Sequence, residues 1–205
     1  MKIDYQKEYK KQLQNNILMV RDEIDNDDFV LKITNHAEKF DREYSEIRSK
    51  ILTDDMYAEI FAKDPAKQNI YEKLAAQYIS KLEKVSDFRN LPNSAKVFVA
   101  GGLITSERLN DVKSIDFVFK VGDKNIYASH KYIKATNGGA QDNQYNDIRN
   151  FLRNCDKIQS GNNYFIAICD GPYFDTKIKI LNDDFGSENV KAMNIDSLED
   201  FISSI

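Results

Sequence analysis

The segment YASHKYIKATNGGAQDNQYND, residues 127–147, carries Ser129, His130, Lys131, Asp142 and Asp147 together with five side-chain amides and two adjacent glycines. It follows the alternating run SIDFVFK, residues 114–120, which contributes Asp116. Carboxylates beside a lysine are the residue types that metal-assisted hydrolysis of a phosphodiester needs. A carboxylate can hold Mg²⁺, which neutralises the phosphate and lowers the pKa of a bound water. A lysine can orient or deprotonate that water, or stabilise the charge that builds on the phosphorane. A hard ion of this kind is usually held by one or two carboxylates plus waters and phosphate oxygens. Asp116 and one acid from the segment after Lys131 are therefore a sufficient protein contribution.

That chemistry requires Asp116 and Lys131 to meet. SIDFVFKV and NIYASHKYI both alternate, with GDKN between them as a turn, so residues 114–133 read as a β-hairpin. With Asp123 and Lys124 at the centre of the turn, Asp116 lies opposite Lys131. With Gly122 and Asp123 at the centre, it lies opposite Ser129. Residues two apart on a strand share a face. In either register Asp116, Ser129 and Lys131 project from one side of the hairpin, and Phe117, Phe119 and His130 from the other. His130 is accordingly read as a residue packed under the sheet.

The remaining elements follow from periodicity. Residues 1 to about 90 read as helical. Ile33, Ala37, Phe40, Tyr44, Ile47 and Ile51 form a stripe on one helix face, which packs on a neighbouring helix of the same chain in preference to a dimer seam. A further helix is expected over DPAKQNIYEKLAAQYISKLEKV, N-capped by Asp64 with Pro65 in its first position and Ile70, Leu74, Ala75, Tyr78 and Leu82 on its apolar face. NLPNS interrupts the helical pattern. Gly138 and Gly139 read as a plain loop in preference to a phosphate-binding nest. After them a helix from about Ala140 to Cys155 buries Ile148, Phe151, Leu152 and Cys155. NNYFIAICDG is a strand covered on both faces. A KIKIL strand and an IDSLEDFISSI helix, capped by Asp196 or Ser197, close the chain. The fold class is α/β: a mixed central sheet flanked by helices, preceded by an N-terminal helical region. The expected division is a helical subdomain at 1–64 and an α/β core at 65–205.

SIDF followed by SHK resembles the active-site pattern of type II restriction endonucleases of the PD-(D/E)xK nuclease superfamily. There an aspartate near the start of one strand is followed, on the next strand, by an acid, any residue and a lysine. The strand YFIAICDGPYF resembles a later core strand of these enzymes, and NIYEKLAAQYI resembles the helix before the catalytic strands, which often carries a glutamate, here Glu72. Ile115 stands where the family often has proline, and Ser129 where it has the second acid. One subgroup has serine, any residue and lysine on the strand and takes its acid from the following helix, and SHKYIKATNGGAQDNQYND is similar to it. The resemblance implies a restriction-endonuclease-like core, Mg²⁺ as cofactor, and site-specific cleavage of double-stranded DNA by a homodimer with one active site per strand. It implies Asp116 and Lys131 in the site, with Asp147 or Asp142 as the displaced acid and Glu72 as a further metal candidate. Asp147 is favoured over Asp142 because Gln141, Gln144 and Asp147 share an i, i+3, i+6 face.

Composition agrees with a soluble globular chain. The 205 residues are 41% hydrophobic and 30% charged, and 29 Lys and Arg stand against 33 Asp and Glu, a net charge of −4. That excludes nucleic-acid binding through global positive charge alone and leaves a locally basic groove open. The apolar runs are too short to span a bilayer and MKIDYQKEYKK has no signal-peptide core, so no membrane is involved and a cytoplasmic location is expected. Cys155 and Cys169 have neither disulfide nor zinc spacing and read as small buried hydrophobes. The competing readings are a non-catalytic nucleic-acid-binding or protein-interaction module on the same core, and a structure-specific repair nuclease.

Overall fold

A computed structural model describes residues 2–91, 97–100, 103–106, 114–134, 139–158, 161–185 and 187–205. The chain divides into two compact units, one of residues 4–70 and one of residues 1–3 and 71–205. Among the described residues no helix is long and apolar enough to cross a membrane.

The first unit is helical. It contains α1 (Tyr5–Asp22), α2 (Asp27–Lys39), α3 (Tyr44–Thr53) and α4 (Asp55–Glu59). Asp4, Asn26 and Asp54 cap α1, α2 and α4 by accepting from backbone N–H groups in the first turn. Its core is Ile17, Val20, Ile24, Ile33, Ala37, Ile47, Ile51 and Ala58. The apolar stripe over 33–51 is therefore buried within the chain, but on two helices and not one. Asp41 adopts φ +50° between α2 and α3, and Phe40 is 54% exposed. Each half keeps an i, i+4 pair, Ile33 with Ala37 and Ile47 with Ile51, so the periodicity survives the break that aspartate tolerates in the left-handed region.

The helix expected from Pro65 is also divided. Asp64 does cap, accepting from Ala66 N–H at 2.8 Å, but what it caps is a 3-10 turn, Pro65–Gln68. Asn69 at φ +56° ends that turn, and α5 (Ile70–Ile79) follows with Ala75, Ala76 and Ile79 as its buried face. Residues Val85–Asn90 leave the helical pattern altogether and form strand β1.

The second unit is built on a five-stranded sheet of order β1-β5-β6-β7-β8, with β5 at Phe117–Val121, β6 at Lys124–Tyr132, β7 at Asn163–Asp170 and β8 at Val190–Met193. The β1/β5 and β5/β6 pairs are antiparallel, and β6/β7 and β7/β8 are parallel. Parallel neighbours need crossover connections. These are α6 (Gly139–Cys155), and then α7 (Lys177–Asp184) preceded by a 3-10 turn, Pro172–Phe174. A second sheet of order β3-β2-β4 holds β2 (Val97–Ala100), β3 (Leu103–Thr105) and β4 (Ser114–Ile115). α8 (Ile195–Ser204) closes the chain, capped by Asn194, which accepts from Ser197 N–H, and not by Asp196 or Ser197.

The α6 side of the sheet buries Val118, Ile148, Phe151, Leu152, Cys155, Phe165, Ala167 and Cys169. Phe117, Phe119, Ile126, Ala128, Ile166 and Ile168 alternate with these and are likewise fully buried. β7 is thus covered on both faces, the arrangement that makes its sequence continuously apolar. Both cysteines are free and buried, and burial pushes the Cys155 thiol well above its ordinary range.

KIKIL is part of helix α7, not a strand. Ile178, Leu181 and Phe185 recur at spacings of 3 and 4 and all join the core on the α6 side, so the helical period prevails over the apparent alternation. α7 also seals the outer edge of β8. The Asn182 amide donates to Ala192 C=O and accepts from Ala192 N–H, both at 2.8 Å, as a neighbouring strand would. Asn182→Ala should cost about 1–2 kcal/mol, the loss of two net hydrogen bonds at a partly buried edge, read as a lower urea midpoint with unchanged slope.

Candidate functional site

The hairpin turns at Gly122 and Asp123, with Gly122 at φ +60° and Val121 paired with Lys124. A two-residue turn of this hand matches the twist of the flanking strands and suits glycine at its first central position. Phe117 therefore pairs with Ala128, which brings Asp116 level with Ser129. This is the second of the two registers considered above.

Asp116 lies where the chain passes from one sheet to the other. Ile115 pairs with Val97 in the small sheet, and Phe117 already belongs to the large one. Between them, Asp116 N–H donates to Ala128 C=O at 2.9 Å, and Asp116 C=O accepts from Leu91 N–H at 2.8 Å. Both backbone groups are held, so the side chain has a fixed origin. Its Oδ2 accepts from Ser129 Oγ at 3.1 Å and from His130 N–H at 2.8 Å. Asp116 is 8% exposed and Ser129 fully buried. A carboxylate with so little water contact requires such donors.

Lys131 is half-buried on β6, opposite Cys169 of β7. The period of two puts it on the Ser129 face. On the other face the His130 ring lies 6.2 Å from that of Phe117, and Phe88 of β1 packs on Phe117 and Phe119.

His130 has a partner that the sequence did not suggest. Asp170, at the end of β7 and 3% exposed, sits with Oδ2 3.2 Å from His130 Nε2, and its Oδ1 accepts from Ile195 N–H at the start of α8 at 2.9 Å. A carboxylate only accepts, so Nε2 is the donor in this contact. The signal was a charge ending an apolar strand, in ICDGP, where an unpaired aspartate would be costly.

On α6, Ile148, Phe151, Leu152 and Cys155 are buried as expected. Gln141 and Gln144 are half-buried, while Asp142 and Asp147 are exposed. Asp142 is committed elsewhere, since its Oδ1 accepts from Tyr173 Oη at 2.8 Å. Burial, reinforced by that carboxylate, pushes the Tyr173 hydroxyl up to about 12. Among the described residues Asp147 has no side-chain hydrogen bond or ion pair. Glu72 is half-buried on α5, the helix whose Tyr71 ring lies 4.2 Å from that of Tyr132 of β6, tilted by 30°. Asp116 and Ser129 are thus brought together, and Asp142 is tied to the turn after β7. Among the described residues no group of three or more His, Cys, Asp or Glu is placed to hold a metal ion. Gly138 and residues 92–94 of NLPNS lie outside the described residues.

The tie to Tyr173 separates two roles for Asp142. Asp142→Asn keeps an oxygen that accepts from Tyr173 and loses only the charge. With Asp142 as an anchor, the asparagine variant should keep wild-type stability, while Asp142→Ala loses about 1 kcal/mol. Equal loss of activity in both variants, with stability unchanged, would instead assign Asp142 to a metal.

No family model and no curated protein matches the chain. Among solved structures, the crystal structure of protein VC1899 from Vibrio cholerae is similar, with a TM-score of 0.34 and 12% identity, covering 98% of this chain and 55% of that one. The chain spans about half the length of that protein.

Proposed function

We propose that the protein is a Mg²⁺-dependent endonuclease of the type II restriction kind, cleaving double-stranded DNA in the cytoplasm as a homodimer. The observation that carries this reading is the fixed Asp116 carboxylate, held by Ser129 Oγ and His130 N–H on the sheet face that Lys131 shares. The donor set suits a hard divalent ion. A carboxylate is a hard oxygen ligand, and Mg²⁺ asks for few protein oxygens.

Asp116 would hold the ion, with Asp147 as the second acid. Arg149 pairs with Asp184 of α7 at 2.9 Å, and Asp142 meets Tyr173, so this flank of α6 faces α7. Asp147 is exposed and lies about 140° around the helix from Asp142, off the flank that faces α7. Asp142 and Glu72 are the alternatives. When bound, the ion neutralises the scissile phosphate and acidifies a water. Lys131 orients that water and offsets charge on the phosphorane. Ser129 keeps Asp116 aimed. Two active sites related by a two-fold axis serve the two strands of a duplex.

The engagement of Asp116 Oδ2 by two donors, with serine where the family has its second acid, also favours a second reading, a non-catalytic nucleic-acid-binding module in which Asp116 is a structural strut. Incubating the purified protein with unmethylated phage DNA and MgCl₂, beside an EDTA control, separates the two. Discrete Mg²⁺-dependent fragments support the nuclease. Intact DNA that is nonetheless bound supports the module.

A further inference from the structure

We propose that the groove across β1, β5 and β6 binds the sugar-phosphate backbone of one DNA strand beside the scissile phosphate, with Arg89 as its phosphate clamp. This rests on the nuclease reading above and assigns a residue that the family pattern does not include.

The groove has a volume of about 380 Å³, and its lining includes Arg89 of β1, Val118 and Lys120 of β5, and Asn125 and Tyr127 of β6. Strand register ties it to the candidate site. Arg89 is level with Val118, and Val118 with Tyr127. Asp116 and Ser129 lie two residues further along the same two strands, on the same face and about 7 Å away. β1 leads to the same place, because Leu91 N–H, two residues past Arg89, donates to Asp116 C=O at 2.8 Å. Backbone pairing alone therefore puts the groove and the Asp116 carboxylate in succession along one side of the hairpin.

The charge of the groove suits a phosphodiester. Arg89 is exposed, and among the described residues it makes no hydrogen bond or ion pair. β1 is irregular between Ser86 and Arg89, with Asp87 at φ +50°, and bulges of this kind re-aim side chains beside active sites. Asp87, which also lines the groove, pairs with Lys120 at 2.8 Å. Lys120 is the chief cause that holds the Asp87 carboxyl below its ordinary range, and the Arg89 charge is the least. The pair neutralises itself and leaves the guanidinium uncompensated, a locally positive groove in a chain of net charge −4. A guanidinium takes two phosphate oxygens at once, in a fixed geometry. The Tyr127 ring is stacked on Phe165 at 5.5 Å, and the Asn125 amide is held by Asn163 at 3.1 Å, so the floor of the groove is preorganised. Contacts to the backbone from such residues fix where a strand lies and read no sequence.

The test measures binding of short labelled DNA duplexes of unrelated sequence to the full chain by fluorescence anisotropy, with Ca²⁺ replacing Mg²⁺, between about 50 and 200 mM salt. Arg89→Gln should weaken binding equally for all sequences and reduce the slope of log K against log salt by about 0.9, the signature of one lost phosphate contact. Arg89→Lys should restore the slope, since it keeps the charge. Asp87→Asn should move the slope the other way, because it frees Lys120 and removes the acid from the groove. An unchanged slope in Arg89→Gln overturns the groove, and so does a wild-type protein that binds no DNA. Cleavage by the wild type in Mg²⁺, scored in parallel, reports on the nuclease reading separately. A slope that depends on Arg89 without any cleavage keeps the groove and removes the nuclease, and cleavage with a slope indifferent to Arg89 does the opposite.

Discussion

Replacing Gly171 by alanine should lower stability by about 2–4 kcal/mol, a fall in Tm of roughly 5–15 °C for a chain of this size. Two effects add. Gly171 holds φ +97° and ψ 162°, a region that residues with a Cβ strongly avoid. A Cβ built there would lie 2.2 Å from the carbonyl oxygen of Ile133 and 2.8 Å from its carbonyl carbon. Neither atom can yield cheaply, because Ile133 is clamped to the same turn by its N–H, which donates to Asp170 C=O at 2.9 Å. Relieving the clash must separate the ends of β6 and β7. The contacts on either side of Gly171 go with it, His130 with Asp170 before it and Asp142 with Tyr173 after it. Thermal denaturation followed by circular dichroism reads the effect. A shift within the ordinary range of surface substitutions would show that the turn relaxes without moving β6.

The second large effect concerns Asp116 and needs two substitutions to interpret. Asp116→Asn retains an oxygen that accepts from Ser129 Oγ and His130 N–H, so the fold should stay near wild-type stability. On the nuclease proposal, DNA cleavage should fall by at least about 10³-fold, because the charge assigned to the ion is lost. Asp116→Ala should be equally inactive and also less stable by about 1–3 kcal/mol, since it leaves a buried N–H and a buried hydroxyl without an acceptor. DNA binding should survive in the asparagine variant, as phosphate contacts elsewhere are untouched. The measurement pairs cleavage rates in Mg²⁺ with urea midpoints. An asparagine variant that still cuts in Mg²⁺ at the wild-type rate would remove Asp116 from the active site.

Local patterns announced the elements whose side chains alternate or recur within a few residues. The hairpin over 114–133, the buried stripe of α6 and the apolar run of β7 are of this kind, and so is the shared face of Asp116 and Ser129. β1 was not announced. Its residues are half-buried or exposed, its pairing with β5 is irregular between Ser86 and Arg89, and Asp87 sits at φ +50°, as befits a blunted edge strand with little apolar alternation. The breaks at Asp41 and Asn69 depend on single residues entering the left-handed region, which leaves no periodic trace. The role of Asp170 depends on His130, 40 residues earlier, and on Ile195, 25 residues later. The commitment of Asp142 to Tyr173 spans 31 residues. Pairings at such separations are tertiary facts, and a carboxylate in sequence looks the same before and after they form.

The amide of Asn182 has a consequence for how copies of this chain can meet. A strand at the rim of a sheet is a ready template onto which a foreign strand can crystallise, one backbone group at a time. On β8 that template is already consumed, with the Ala192 N–H and C=O occupied by Asn182 and the Val190 N–H donating to Ser187 C=O. An incoming strand must first evict a side chain that its own helix holds in place. The rim at β8 therefore resists recruitment into extended fibrous stacks, and a Asn182→Ala chain, stable enough to fold, should be the one that propagates them.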